Sequence, residues 1–98
     1  MTEVVETEPF SKWLRGLRDP LGRRAVVRRI SRIVSTGHFG DHAGVGEGVS
    51  ELRIDAGPGY RVYYTVRGER VVLLLCGGDK DGQERDIRRA KELAVQVE

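Results

Sequence analysis

Three basic side chains in the segment 48–80 could act together on one anionic ligand. Arg53 and Arg61 lie in runs whose apolar and polar residues alternate as in β-strands, and Lys80 follows a third, continuously apolar run. Side chains alternate between faces along a strand, so Glu51 shares a face with Arg53. If the three segments pair as neighbours, the cations converge, and RNA phosphate is the leading candidate for the ligand.

Tyr63 lies on the same strand face as Arg61, two residues further along. An arginine and a tyrosine on one face can bind a phosphate and stack on a base, which predicts an RNA-binding surface. The alternative is that Arg61 pairs with Glu51 or Asp55 across the strands as an ordinary solvated ion pair.

The segment 77–80, Gly-Gly-Asp-Lys, places Lys80 between a buried strand and the start of a helix. Backbone N–H groups and the helix dipole attract anions at such a position. The segment lacks the spacing of a phosphate-binding P-loop, so ATP binding is not indicated. The alternative is a plain strand-to-helix connection with Lys80 in solvent.

Two histidines and an aspartate in a glycine-rich stretch, His38, Asp41 and His42, come nearest to a metal site. They supply at most three ligands and no Cys or Glu pattern supports them, so we expect no metal. The glycines of segment 44–48 neither follow a predicted strand nor open a helix, which excludes a dinucleotide-binding fingerprint. We therefore expect no cofactor.

Basic residues are concentrated early in the chain, since the first 36 residues hold eight Lys or Arg against four Asp or Glu, and the rest nine against eleven. Most of them are arginines, whose guanidinium groups pair bidentately with phosphate or carboxylate. A basic helix face usually lies in solvent, but it could also bind a nucleic acid backbone or an acidic partner. On the second predicted helix this face consists of Arg23, Arg24, Arg28, Arg29 and Arg32.

Length and composition are those of one folded domain spanning 1–98. Hydrophobic residues make up 39% and charged residues 33%, which is too apolar for disorder. The lone cysteine, Cys76, lies in an apolar run and is expected in the core. There is neither a signal peptide nor an apolar run approaching the roughly 20 residues that cross a bilayer, so we expect a cytoplasmic protein without a membrane partner.

The elements that must position these residues begin with a short strand at 2–6 and two helices. Thr7 can cap the first helix, with Pro9 in its first turn. The Asp-Pro pair at 19–20 gives the cap and first turn of a longer helix that ends near Thr36. The apolar stripes at helical spacing are Phe10, Trp13, Leu14 and Leu17, and then Val26, Val27, Ile30, Ile33 and Val34.

A loop, three strands and a last helix follow. Five glycines between 37 and 48 exclude a regular helix and mark the loop. Gly77 and Gly78 end the third strand, and Asp81 with Glu84 resembles a capping box that opens the last helix. Short glycine turns join the strands into an antiparallel meander with its apolar third strand inside the sheet. The strands are expected at 48–55, 60–66 and 70–76.

The resulting order, β-α-α-β-β-β-α, gives an α+β fold, an antiparallel sheet with helices chiefly on one side. This order and three sequence motifs resemble the RelE/ParE superfamily of toxins from type II toxin–antitoxin modules. The motifs are GVSELRI at 48–54, GYRVYY at 59–64 and GGDK at 77–80, the last followed by Gln83. The closer match is its HigB-like branch, the addiction module killer proteins. The resemblance implies a RelE-like fold, in which the N-terminal helical hairpin packs on one face of the sheet and a C-terminal helix follows.

The resemblance also implies an mRNA endoribonuclease, which in this superfamily commonly acts on the ribosome. Such an enzyme drives a ribose 2′-OH onto the adjacent phosphate. It needs a proton acceptor for the 2′-OH, cations for the charge that builds on the phosphorus, and an acid for the 5′-oxygen. By position, Arg61 would stabilise that charge, with Arg53 and Lys80 beside it. Glu51 is the nearest candidate base, and Tyr63 joins the RNA-binding residues.

A cognate antitoxin, with a helix-turn-helix domain, is the implied protein partner. Two alternatives remain open, because ParE-type members poison DNA gyrase without cutting RNA and a degenerate member would only bind its antitoxin. Some family ribonucleases use a C-terminal histidine or tyrosine, and this chain has neither after Tyr64. Ala43 stands where the family often carries a lysine.

Overall fold

Five strands form one sheet in the computed structural model, which describes residues 2–97. They are β1 (Glu3–Glu6), β2 (His42–Gly46), β3 (Val49–Ile54), β4 (Tyr60–Arg67) and β5 (Val71–Asp79). Their order across the sheet is β1-β5-β4-β3-β2. The strands β2 to β5 pair antiparallel, whereas β1 runs parallel to β5. As expected for the apolar third strand of the meander, β5 lies inside the sheet.

The helices are α1 (Glu8–Gly16), α2 (Pro20–Thr36) and α3 (Gln83–Gln96), and a 3₁₀ turn at Lys80–Gly82 precedes the last. The predicted start of α2 is confirmed, since the Asp19 carboxylate accepts a hydrogen bond from the Gly22 N–H at 3.1 Å. The helix ends at Gly37, which adopts a left-handed conformation with φ +75°. None of the helices within residues 2–97 is long and apolar enough to span a bilayer.

The N-terminal hairpin of α1 and α2 packs on one face of the sheet. Phe10 from α1 and Val26 and Ile33 from α2 are completely buried there. Two valines of the predicted apolar stripe are nevertheless about half exposed, Val27 at 46% and Val34 at 49%. The apolar stripe of α2 is therefore wider than the part of the helix that packs against the sheet.

The opposite face of the sheet is covered by α3. Tyr63 and Cys76 pack there against Ala90 and Ala94. The helices thus cover both faces, where the sequence led us to expect them chiefly on one. This difference decides which polar strand residues reach solvent.

The α+β order is confirmed, with one strand added. The segment 42–46 was expected within a loop, yet it forms β2 at the edge of the sheet, paired only with β3. The pairing register shifts at a bulge between Gly44 and Gly46. Gly46 has a φ of +104°, a backbone conformation that favours glycine, and the bulge keeps β2 paired with β3.

The end of β5 also differs from the prediction. The strand continues through Gly77 and Gly78 to Asp79, because β4 pairs with it up to that residue. The Asp79 carboxylate then accepts hydrogen bonds from the N–H groups of Asp81 (3.0 Å) and Gly82 (3.3 Å). It takes the place of the expected capping box.

Asp19 joins the hairpin to the sheet, because it also accepts a hydrogen bond from the Tyr60 hydroxyl at 2.8 Å. The bond from the Gly22 N–H, followed by that from Tyr60, lowers the pKa of the Asp19 carboxyl. A lowered pKa stabilises the fold above the ordinary aspartate pKa, and this contribution is lost as the pH falls through the folded-state value.

Asp19→Asn is therefore expected to lower the urea midpoint at about pH 7 and to have little effect at about pH 2. Urea unfolding of both proteins across this range measures the difference. Asp81→Asn, which alters an exposed carboxylate, should show no such pH dependence. An equal effect of Asp19→Asn at both ends of the range would contradict the linkage.

Candidate functional site

The structure brings the three predicted cations together. Arg53 and Arg61 are direct cross-strand partners on β3 and β4, and Lys80 follows the end of β5 next to them. A side chain placed at Gly59 would lie 3.6 Å from the Lys80 side chain and 3.8 Å from Arg61 Nη1. The cleft between them has a volume of about 230 Å³ and is lined by Asp41, Arg53, Ile54, Asp55, Gly59, Arg61 and Lys80.

Arg61 is the most deeply buried of these cations. Its side chain is only 13% exposed, and Nη1 donates to the Tyr60 carbonyl at 3.2 Å. The nearest carboxylate, Glu51, lies 3.9 Å from Nε, and no hydrogen bond to Nε is formed within residues 2–97. Arg61 thus forms a long, buried ion pair with Glu51 rather than the solvated pair of the alternative interpretation, and its side chain lines the cleft.

Glu51 lies beneath the cleft and is 1% exposed. Its Oε2 accepts from Arg53 Nε at 2.9 Å, and its Oε1 accepts from Gln83 Nε2 at 3.0 Å. Because both oxygens are engaged and buried, the geometry does not support the predicted proton acceptor. Glu51 instead fixes Arg53 from below and connects it to the start of α3.

Tyr63 is completely buried, which corrects the expectation that it stacks on a base. The ring packs beneath α3, and its hydroxyl finds no hydrogen-bond partner in the described chain. Burial, followed by the nearby carboxylate of Glu51, raises the pKa of the Tyr63 hydroxyl far above its usual value. The polar surface that this face of the sheet presents to solvent is therefore smaller than the strand alternation predicted.

Lys80 opens the 3₁₀ turn and is exposed. The N–H groups of this turn that were expected to attract an anion are already bonded to the Asp79 carboxylate. The positive charge at this point comes from the Lys80 side chain, which forms no ion pair within residues 2–97. An anion would therefore meet the ammonium group rather than the backbone.

Two carboxylates at the cleft were not assigned a role in it by sequence reasoning. Asp41 Oδ1 lies 3.8 Å from Arg53 Nη1, and Asp55 lines the same cleft without an ion pair in the described chain. Asp55 is the last residue of the predicted strand 48–55. Its position in the cleft beside Lys80 depends on the turn that follows this strand, which the sequence pattern does not specify in detail.

No arginine of the basic α2 face lines this cleft, although Arg29 reaches the backbone of Asp41 at its edge. Arg29 Nη1 donates hydrogen bonds to the carbonyls of Phe39 (3.4 Å) and Asp41 (3.2 Å), in the segment that leads into β2. Three other arginines, Arg24, Arg28 and Arg32, are exposed and form no ion pair with any described residue. This part of the face lies in solvent.

The histidine-rich stretch shows no metal-binding geometry. His42 Nδ1 lies 2.7 Å from the Gly40 carbonyl, and across residues 2–97 no three His, Cys, Asp or Glu side chains are grouped to hold an ion. Cys76 is 2% exposed, which confirms its expected place in the core. Burial raises the pKa of its thiol to about 11.

The fold of the chain matches that of a solved bacterial toxin. An arginine-to-alanine double mutant of the E. coli toxin RelE, solved in the free state, superposes with a TM-score of 0.71. The match covers 93% of this chain and 96% of that one at 18% sequence identity. The chain therefore has the fold of a RelE-like toxin.

The family follows from sequence. The family described as "Phage derived protein Gp49-like (DUF891)" matches residues 12–96. A Haemophilus influenzae protein named only "Uncharacterized protein" is 42% identical over 95 residues, covering 97% of this chain and 95% of that protein. The chain belongs to the phage-derived Gp49-like family, a family of toxins of the RelE and addiction-module type, and the predicted superfamily is confirmed.

Proposed function

We propose that this toxin is an endoribonuclease that cleaves mRNA. The observation that supports the proposal is the convergence of Arg53, Arg61 and Lys80 on one cleft of about 230 Å³. Three cations around one cleft can stabilise the negative charge that a phosphodiester gains in the transition state of cleavage. We further propose that residues 1–98 form one domain, that it belongs to the HigB-like branch, and that it acts in the cytoplasm.

In the proposed reaction the ribose 2′-oxygen attacks the adjacent phosphorus and the bond to the 5′-oxygen breaks. The products are a 2′,3′-cyclic phosphate and a 5′-hydroxyl, whose oxygen takes its proton from solvent water as the bond to phosphorus breaks. Arg61, which lines the cleft, stabilises the charge on the non-bridging oxygens. Arg53, held by Glu51, and the exposed ammonium group of Lys80 bind the same phosphate.

The proton of the 2′-OH must go to a group that faces the cleft. Asp55 meets this requirement, since it lines the cleft and has no ion pair among the described residues. Glu51 does not, because both of its oxygens are bonded inside the protein.

Asp55→Asn is accordingly expected to lower the cleavage rate by about 10²-fold, the usual contribution of a general base. Single-turnover cleavage of a short RNA measures the effect. Glu69→Gln, a matched change of an exposed carboxylate at the opposite end of β4, should leave the rate unchanged. If Asp41→Asn lowers the rate instead and Asp55→Asn does not, the proton acceptor is Asp41.

The proposed partners are a cognate antitoxin with a helix-turn-helix domain and mRNA, bound on the ribosome. No membrane or small-molecule cofactor enters the proposal. None of the α2 arginines lines the cationic cleft, so the α2 face is available for a second macromolecular contact.

The deciding experiment is controlled expression of the chain in a bacterial host, with growth followed and mRNA 5′ ends mapped. Growth arrest with new 5′ ends that appear within minutes is the expected result. Arrest with stalled gyrase–DNA complexes and unchanged mRNA would replace the proposal by gyrase poisoning. Normal growth together with a tight antitoxin complex would identify a member that only binds its antitoxin.

A further inference from the structure

Exposed apolar side chains are concentrated on α2. Of the six large apolar residues that are exposed within residues 2–97, Leu21, Val27 and Val34 belong to this helix, and the other three are divided among β1, β4 and α3. Val27 and Val34 are two turns apart, about 10 Å along the helix axis, and so lie on one side of it. Ile30 lies between them and is partly buried. Val27, Ile30 and Val34 form a continuous apolar row.

The apolar row ends at a cleft of about 590 Å³ beside the start of β1. The cleft is lined by Thr2, Val34, Ser35, Thr36 and Gly37. β1 is the outermost strand on this side of the sheet, so no further strand covers the cleft. Small side chains around Val34 leave room for an apolar side chain of a partner.

The charge of α2 is all of one sign. Between Pro20 and Thr36 the helix carries five arginines and no aspartate or glutamate, whereas α3 balances four basic residues with three acidic ones. Arg24, Arg28 and Arg32 follow one another at intervals of four residues, the spacing at which like charges on a helix repel. None of the three has an ion-pair partner within residues 2–97. An acidic partner would replace this repulsion by attractive pairs.

The arginines and the apolar row are neighbours on the helix. At 3.6 residues per turn, Arg24 lies roughly 60° around the helix from Val27 and nearly opposite the buried Val26. Arg28 follows Arg24 by one turn. A helix that packs on the apolar row therefore places its solvent-side flank beside both arginines. A nucleic acid backbone would pair with the arginines, but phosphates offer nothing apolar to cover Val27 and Val34.

We propose that this face of α2 binds an acidic amphipathic helix of the antitoxin. Apolar side chains of that helix cover Val27 and Val34, and one of them enters the cleft beside Thr36. Its carboxylates pair with Arg24 and Arg28 at the rim, where charge selects the partner. The assignment rests on the antitoxin of the proposed function and not on the proposed nuclease activity.

A synthetic peptide is the probe for this face. The labelled peptide is a helix of about 18 residues with leucines at helical spacing and glutamates along one flank, and its binding to the full chain is followed by fluorescence anisotropy. The expected result is saturable binding that weakens as NaCl rises from about 50 to 300 mM. The same peptide with lysine in place of each glutamate should not bind. Binding of both peptides, or of neither, would overturn the proposal.

Val27→Asp tests the apolar row. It should weaken binding of the acidic peptide by at least about tenfold, because the new carboxylate loses water on docking and repels the glutamates. Val27→Ala, which keeps the helix intact, is the second variant and should weaken binding by about threefold. The matched control, Val95→Asp, changes a valine on α3 that is 76% exposed and should bind as the wild type does. Unchanged binding by Val27→Asp, with a native circular dichroism spectrum, would exclude docking on this row.

The double variant Arg24→Ala/Arg28→Ala tests the charges. It should flatten the salt dependence of peptide binding, while Arg88→Ala, which removes an exposed arginine of α3, should leave that dependence unchanged. A uridine oligonucleotide of about 10 residues serves as the competing class of ligand. If it binds the wild type, loses affinity in the double variant, and the acidic peptide does not bind, the face contacts nucleic acid and the proposal is wrong.

The antitoxin itself separates the docking face from the proposed function. The protein encoded beside the toxin gene is co-expressed with the tagged toxin, and its copurification is compared among variants. Loss of copurification in Val27→Asp but not in Val95→Asp is the expected result. If the antitoxin copurifies with both variants, the docking face is wrong and the antitoxin partner stands. If the wild type binds the acidic peptide but nothing copurifies with it, the docking face stands and the proposed antitoxin is wrong.

Discussion

Replacement of Arg61 by alanine is expected to lower the rate of RNA cleavage by about 10²–10³-fold, the cost of removing one preorganised donor to a developing charge. The guanidinium is fixed before substrate arrives, since its side chain is 13% exposed and bonded to the Tyr60 carbonyl. Single-turnover cleavage of a short RNA by the purified protein measures the loss, and circular dichroism checks the fold.

The matched control for this prediction is Arg70→Ala, which removes an exposed arginine at the turn before β5 and should leave cleavage unchanged. Arg61→Lys keeps the charge but loses the planar pair of donors, so it should recover only a small part of the activity. Full activity of Arg61→Ala would show that the cleft does not act on phosphate.

Replacement of Glu51 by alanine is expected to lower the free energy of unfolding by about 3 kcal/mol, as for other broken buried ion pairs. The change empties a buried site and leaves the Gln83 amide and Arg53 Nε without their acceptor. Urea denaturation measures the difference. The matched control, Glu69→Ala, removes an exposed carboxylate and should change the stability by less than about 0.5 kcal/mol.

Glu51→Gln tests the same residue in catalysis. A positioning residue predicts a loss of about tenfold with an unchanged pH profile, because Arg53 is less well held but the proton acceptor is intact. A general base predicts a larger loss together with the disappearance of the acidic limb of the profile. The second outcome would return the proton-acceptor role to Glu51 despite its burial.

Much of this architecture can be read from the sequence. The Asp-Pro pair before α2 and the glycine turns set element boundaries through local hydrogen bonding and backbone conformation, which depend little on distant residues. The alternation in β3 and β4 also placed Arg53 and Arg61 on one face, because side-chain direction in a strand is a local property.

The burial of that face could not be read in the same way. Glu51 and Tyr63 lie on a polar-looking strand face, and only the docking of α3 over it determines that neither reaches solvent. The hydrogen bond between Gln83 and Glu51 joins residues 32 positions apart, a separation at which strand periodicity carries no information. The basic residues and the strand alternation in the sequence thus predicted where the cleft lies, but they did not predict which of the nearby side chains are buried.

The parallel pairing of β1 with β5 also bears on how the chain acquires its structure. The Thr7 hydroxyl bonds the Leu74 carbonyl across 67 positions, so the first strand has no partner until most of the polypeptide has been synthesised. Contacts between residues far apart in the sequence slow folding, because the entropy cost of closing a long loop comes before the contacts that stabilise it. During translation the N-terminal helices can form early, whereas the pairing of β1 with β5 must wait until β5 has been synthesised.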